Sequence, residues 1–280
     1  MSAHAPAAPV WATEMADLHL HPAPSLLARH HDDRGTIDAA ARAGFSTVVL
    51  KAHEGSTVER ASAAGPAAHG GVVLNRAVGG ANPDAVEVAA RLGGRVIWMP
   101  TLSAPAHKAA AASSELAVHG GFELGQVDVL DPKGALLPEW LDVLDAVAAH
   151  DLLLASGHLT ADEAVLLFAE ARRRGVRRLL VNHPLLAFVA LNREAAAALA
   201  EMGAYLEIGV LADLLAGQTS LALTEEYPTS LLAFGSDLGH ADYPEPSAVI
   251  GPWLASLEDR VGAERAREIM TRQTRELLLP

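Results

Sequence analysis

The sequence predicts a single (β/α)8 TIM barrel of the α/β class, and three observations predict it. Eight short apolar runs alternate with alanine-rich amphipathic segments along the 280 residues. Each run is nearly continuous in apolar side chains, as parallel strands covered on both faces must be. No linker-like shift in composition divides the chain, whose length suits a barrel of about 250 residues. Residues 1–14, "MSAHAPAAPVWATE", read as a flexible Ala/Pro tail, and 15–280 as one domain.

The strands follow in order. They are expected at "ADLHLH" (16–21), "STVVLKAH" (46–53), "GGVVLN" (70–75) and "RVIWMPT" (95–101). The other four are "DLLLASGH" (151–158), "RRLLVNH" (177–183), "AYLEIG" (204–209) and "LLAFGSD" (231–237). The helices between them carry their own punctuation. In "NPDAVEVAARLGG", Pro83 opens a helix and glycines follow its end. "TADE" (160–163) is a capping box, and the helix it opens stops at Gly175. "EWLDVLDAVAAH" and "REAAAALAEMG" show the same amphipathic spacing. The last segment, "GAERAREIMTRQTRELLLP", is a helix that either completes the outer ring or takes part in a subunit contact of a homo-oligomer. A doubly wound open sheet is the alternative fold. It fits less well, because no glycine-rich phosphate loop follows the first strand.

Composition narrows the chemistry. The net charge is −13, with 34 acidic residues against 21 basic ones, which argues against a nucleic-acid face. The basic run "ARRRGVRR" (171–178) closes a helix and suits its C-terminal dipole. There is no cysteine, so any metal must be held by His, Asp, Glu or a modified Lys. No apolar run reaches the roughly 18 residues of a membrane span. The start of the chain lacks the pattern of a secretion signal, and the expected compartment is the cytoplasm.

The polar residues concentrate where strands end. His19 and His21 close the first strand, Lys51 and His53 the second, His158 the fifth, His183 the sixth and Asp237 the eighth, while Glu207 lies in the seventh. In a barrel these positions converge on one mouth. Residues two apart share a face of a strand, so His19 and His21 point inward together, with Asp17 aligned to them. Imidazoles and a carboxylate without thiolates suit zinc, and also manganese, iron or nickel. Lys51 is one of only three lysines and interrupts an apolar run. Beside a lysine that snorkels to the barrel rim, two functional readings stand: an ammonium contacting an anionic substrate or a carboxylated amine bridging two metals, with the free ammonium favoured.

At these residues the chain resembles the amidohydrolase superfamily of metal-dependent barrels. The resemblance rests on "DLHLHP" (17–22), "SGH" (156–158), "NHP" (182–184) and "FGSD" (234–237). The segments "VVLKAH", "VLNRAVGGANP" and "VIWMPT" resemble more closely a branch of uncharacterised amidohydrolase-related proteins. The resemblance implies that His19, His21, His158 and Asp237 ligate a divalent metal, most naturally Zn2+, as one or two ions. It implies that His183 ligates a second metal or acts on the substrate, and that Asp237 takes the proton from metal-bound water. One departure bears on metal count. Strand four ends in "WMPT", which offers Met99 and Thr101 where binuclear members carry a carboxylated lysine or a glutamate.

The expected reaction is therefore metal-dependent hydrolysis of a small molecule at an amide, imide or lactone carbonyl. A metal-dependent decarboxylase or hydratase of a small carboxylic acid is the alternative on the same barrel. A barrel that carries metal and binds ligand without turnover is a third reading. Substrate contacts are expected from Arg29 with Lys51, from Asn75, from His53 and from Glu207. Each has a competing reading. Arg29 can be a solvated loop residue, Asn75 a turn cap, His53 a partner of a ligand, and Glu207 a partner of Lys51 or a histidine.

Overall fold

The computed structural model describes residues 14–113, 125–216 and 220–279. The expected N-terminal tail lies outside the described residues except for Glu14. Eight barrel positions are filled by parallel strands: β1 (Met15–Leu20), β2 (Phe45–Leu50), a third made of β3 (Ala68–His69) and β4 (Gly71–Val73), β5 (Val96–Trp98), β6 (Leu153–Ala155), β7 (Arg178–Val181), β8 (Tyr205–Ile208) and β9 (Leu232–Phe234). They hydrogen-bond as two sheets, β1-β2-β3 and β4-β5-β6-β7-β8-β9. Most stop two or three residues earlier than expected. The polar residues assigned to strand ends therefore stand, apart from His19 and Glu207, in the first residues of the following loops.

The third strand begins earlier than expected and breaks at Gly70, where its pairing passes from β2 to β5. Thr57 fills that seam. Its hydroxyl donates to Leu50 O at 2.6 Å and accepts from Gly71 N at 3.1 Å. A Cβ on Gly71 would lie 2.0 Å from Val96 O, so only glycine permits this approach. The other seam joins β9 to β1. Asp237 N donates to His19 O and His21 N to Leu238 O, both at 2.9 Å, and Leu20 bridges Leu238 in parallel. The open doubly wound alternative does not describe this ring.

Helices cover the outside: α1 (Asp33–Arg42), α2 (Val58–Ala64), α3 (Pro83–Arg91), α4 (Pro105–Ser113), α5 (Glu139–Ala149), α6 (Ala161–Arg173), α7 (Arg193–Glu201), α8 (Val210–Ala216), α9 (Leu223–Glu226) and α10 (Pro246–Val261). The Thr160–Glu163 capping box is present at the start of α6. Pro83 opens α3, with Asn82 as its N-cap. The basic run that closes α6 is structural: Arg172 donates to Met202 O, and Arg177 and Arg178 pair with Asp151.

Two apolar layers result. The inner one lines the barrel with Leu18, Val49, Val73, Trp98, Ala155, Leu180 and Ala233. The outer one lies between strands and helices. The C-terminal segment, α11 (Ala263–Glu268), a π-helical turn (Ile269–Gln273) and α12 (Thr274–Glu276), closes the barrel at its N-terminal end. Leu277 and Leu278 join the inner layer, and Thr274 Oγ1 accepts from Phe234 N at 2.9 Å. No helix among the described residues is long and apolar enough to cross a membrane.

Candidate metal centre

The centre begins with an irregularity in β1. Asp17 pairs with Val48 and Leu20 with Leu50, so Leu18 and His19 together oppose the single residue Val49. This is a β-bulge, which re-aims side chains. It lets Leu18 enter the inner layer while the adjacent His19 reaches the donor cluster at the mouth. Asp17, expected beside the histidine pair, is elsewhere: its Oδ1 accepts from His19 N and Ser236 N, both at 2.9 Å. Burial raises the Asp17 carboxyl to about 7 against the pull of those hydrogen bonds.

The rings then interlock. His19 lies 5.0 Å, centre to centre, from both His21 and His183. His21 stacks on His53 at 4.9 Å, and His158 stands edge-on to His183 at 5.4 Å. His19, His183 and Asp237 each offer a donor atom within 4.8 Å of the others. His21 joins them through Nε2, which lies 2.9 Å from Asp237 Oδ1 and 3.2 Å from His19 Nε2. His183 and Asp237 both have positive φ, 50° and 55°. Such strain in non-glycine residues persists only where the surroundings impose it.

Hydrogen-bond partners fix the tautomers. His21 Nδ1 faces the Lys51 carbonyl at 3.1 Å, so it carries the proton and donates. His19 Nδ1 donates to Glu207 Oε2 at 3.1 Å, and His183 Nδ1 lies 3.3 Å from Glu207 Oε1. The Nε2 of His19 and the Nε2 of His21 are thereby left with a lone pair. At the centre His19 Nε2, His21 Nε2 and Asp237 Oδ1, acceptors all, face one another; His19 Nε2 and Asp237 Oδ1 are 3.1 Å apart. The Lys51 ammonium supplies hydrogen here, donating to His19 Nε2 at 2.9 Å. His21 and Asp237 still face each other as two acceptors. A divalent cation is the group this donor set fits.

Electrostatics agree. Burial, and then the Arg29 charge, hold His21 well below the usual imidazole range. Burial lowers His183 to about 4 despite Asp237 and Glu207 nearby. Burial works to raise Asp237, but His19, His183 and His21 outweigh it and hold the carboxyl well below the ordinary range. Lys51 is fully buried above the Trp98 ring and is lowered to about 8, chiefly by burial.

Several residues expected at the substrate have partners within the protein. Glu207 accepts from His19 Nδ1 and from Asn182 Nδ2, the latter at 2.7 Å, and lies 3.3 Å from His183 Nδ1. Gly235 of "FGSD" makes room for it, since a Cβ there would lie 2.6 Å from Glu207 Oε2. Asn75, also expected at the substrate, is engaged in hydrogen bonds between loops. Its amide donates to His53 O and Thr101 Oγ1, and its oxygen accepts from Thr101 N and Ser103 N. His53 Nδ1 meets Thr101 Oγ1 at 2.9 Å. His158 is outside the tight donor group, and its Nδ1 lies 2.9 Å from His107 Nδ1. His107, on α4, was missed because the one signal for it is a lone histidine in an alanine-rich helix. Arg29 is not a freely solvated loop residue: its Nε and Nη2 are buried.

Solved structures share this fold. An amidohydrolase from Pseudomonas aeruginosa matches with a TM-score of 0.64 at 10% identity, over 96% of this chain and 97% of its own. A TatD homologue from Escherichia coli K12 matches at 0.61 and 13% identity, over 96% and 100%. A probable 2-pyrone-4,6-dicarboxylic acid hydrolase from Acinetobacter baumannii, with citric acid bound, matches at 0.60 and 11% identity, over 95% and 98%. At such identities the likeness is one of fold, and the chain has the barrel of the amidohydrolases. No curated protein matches the sequence. Residues 14–207, more than half of the chain, match the family described as "Family of unknown function (DUF6282)", and the protein belongs to that family.

Proposed function

We propose that the protein is a metal-dependent hydrolase of small molecules, acting at an amide, imide or lactone carbonyl. The observation that carries this reading is the meeting of three lone-pair sites, His19 Nε2, His21 Nε2 and Asp237 Oδ1, at 2.9–3.2 Å. His19, His21, His183 and Asp237 would hold one divalent ion, and imidazole with carboxylate favours zinc. When bound, such an ion lowers the pKa of a water toward neutrality and so provides the nucleophile.

The chain's own groups do the rest. Asp237 is 16% exposed where His19 is fully buried, so it is the donor-set member that faces the open mouth. Its carboxylate is ionised and can accept a proton from the attacking water and return it to the leaving group. His183 offers a donor atom within 4.8 Å of those of His19 and Asp237, and we read it as a ligand rather than a donor to developing oxyanion charge. That task falls to the Lys51 ammonium, whose buried position strengthens a charge-assisted hydrogen bond. Glu207 keeps His19 in its ligating tautomer and lies beside His183. A fold neighbour named as a probable pyrone dicarboxylic acid hydrolase supports a hydrolytic reading of the same barrel.

The test joins metal analysis to turnover of a panel of small lactones, amides and imides. About one divalent ion per chain and hydrolysis abolished by chelation are expected. Protein that retains no metal, or metal-replete protein that leaves the whole panel intact, would overturn the reading. Release of carbon dioxide from carboxylic acids would replace it with the decarboxylase.

A further inference from the structure

We propose that the substrate bears a carboxylate, and that Arg29 receives it side-on next to the metal centre. The proposal rests on the hydrolase reading of the site and adds a substrate class to it. Arg29 stands in the loop that follows β1, and its backbone is pinned to the loop that follows β9. It pairs antiparallel with His240, while Ala241 N donates to Ala28 O at 2.9 Å and His30 N to Gly239 O at 3.0 Å. The guanidinium therefore belongs to the mouth. Its charge bears directly on His21 and Asp237.

Two of its hydrogen-bearing atoms have nothing to bind. Nε and Nη2 of Arg29 are buried and have no acceptor among the described residues. Those two N–H groups lie along one edge of the guanidinium, spaced for the two oxygens of a planar carboxylate. The same chain shows the fork filled elsewhere. Arg60 grips Asp33 with its own Nε and Nη2, at 3.0 and 2.7 Å. Arg29 presents the identical edge with no carboxylate in it.

A protein carboxylate is at hand and is held back. Glu54 is near enough for its charge to act on Arg29, yet its Oε1 is taken by Ser25 Oγ at 2.9 Å and Leu26 N at 2.6 Å. Its Oε2, like the Arg29 fork, is buried without a partner. A buried charged donor is costly unless something completes its hydrogen bonds. A substrate carboxylate entering the mouth does so, and it would fix the scissile carbonyl relative to Asp237 and Lys51.

Calorimetric titration of metal-loaded protein tests this, using glutarate, its neutral diamide glutaramide, and inorganic phosphate. Metal content and Tm are measured in wild type, Arg29→Met and Arg29→Lys. Glutarate should bind Arg29→Met about ten- to a hundred-fold more weakly than wild type. Arg29→Lys should recover part of that loss, and glutaramide should not distinguish the three. Metal content should be equal in all three, and Tm should not fall in Arg29→Met, since a scaffold residue would lower it. Equal glutarate affinity in wild type and Arg29→Met overturns the proposal, as does absence of glutarate binding to wild type. Phosphate binding more tightly than glutarate through Arg29 overturns the carboxylate assignment. The two readings fail separately. Arg29-dependent glutarate binding by protein that holds no metal sinks the hydrolase alone, whereas metal-dependent turnover indifferent to Arg29 sinks only the carboxylate site.

Discussion

Two polar clusters share the barrel mouth, and they differ in one respect. Around Asn75, every hydrogen bond closes: its amide serves His53 O and Thr101 Oγ1, and its oxygen serves Thr101 N and Ser103 N. Around His19 and Asp237, lone pairs face lone pairs, with Lys51 as the hydrogen donor at the centre. Both clusters are buried and both would be costly if unpaired. The first therefore stabilises the loops by itself, while the second has facing acceptors that a divalent cation would satisfy. Polar residues in a cleft are thus scaffold or site according to whether their hydrogen bonds add up.

Substitutions can break that contrast. The largest effect is expected from Asp237→Asn, which keeps the shape but removes the negative charge and the proton acceptor. Turnover should fall by about 10²–10⁴. Steady-state rates with ligand affinity measured alongside check this, and an equal loss in both would remove Asp237 from the proton-transfer role. Next comes Glu207→Gln, which touches no metal but weakens the hold on the His19 tautomer and the charge beside His183. Metal affinity should drop by roughly 10–100-fold, read by competition with a chromophoric chelator. Unchanged affinity would mean that Glu207 does not orient the ligands.

Asn75→Ala attacks the closed cluster and should reverse the pattern. It leaves Thr101 N and Ser103 N without their acceptor, at a cost of about 2–4 kcal/mol, while metal content stays at the wild-type value. A calorimetric Tm lower by roughly 5–10 °C is expected, and a loss of metal instead would erase the distinction between the clusters. A comparable effect on stability concerns pH in metal-free protein. His183 titrates near 4 in the fold against an ordinary value of 6.5, so between these the unfolded chain binds more protons than the native one. Its contribution is present above pH 6.5 and is lost as pH falls toward 4. Tm of the metal-free protein should decline across that interval, and decline less in His183→Asn.

Much of the barrel is legible in the sequence because covered parallel strands must be apolar throughout and their helices must be capped. The β-bulge at Leu18–His19 was not legible, since alternation along a strand assumes even pairing with its neighbour. It placed Asp17 with the histidines, where the structure ties it to Ser236 instead. His107 was invisible for a related reason: a helix that follows one strand leans on the loop of another. Asn75 and Glu207 were singled out as unusual polar residues, but their partners come from other strands.

The sequence by itself determined the order of strands and helices, the absence of thiolate chemistry, and the gathering of histidine, lysine and aspartate at one end of the barrel. These follow from local periodicity and composition, which each segment carries alone. Only the tertiary structure decided which nitrogen of each imidazole is free, which carboxylate orients and which one faces the mouth, and that the Arg29 fork is open. Such properties belong to pairs of atoms brought together from distant segments, and a hydrogen bond has no counterpart in the chain until both partners are in place.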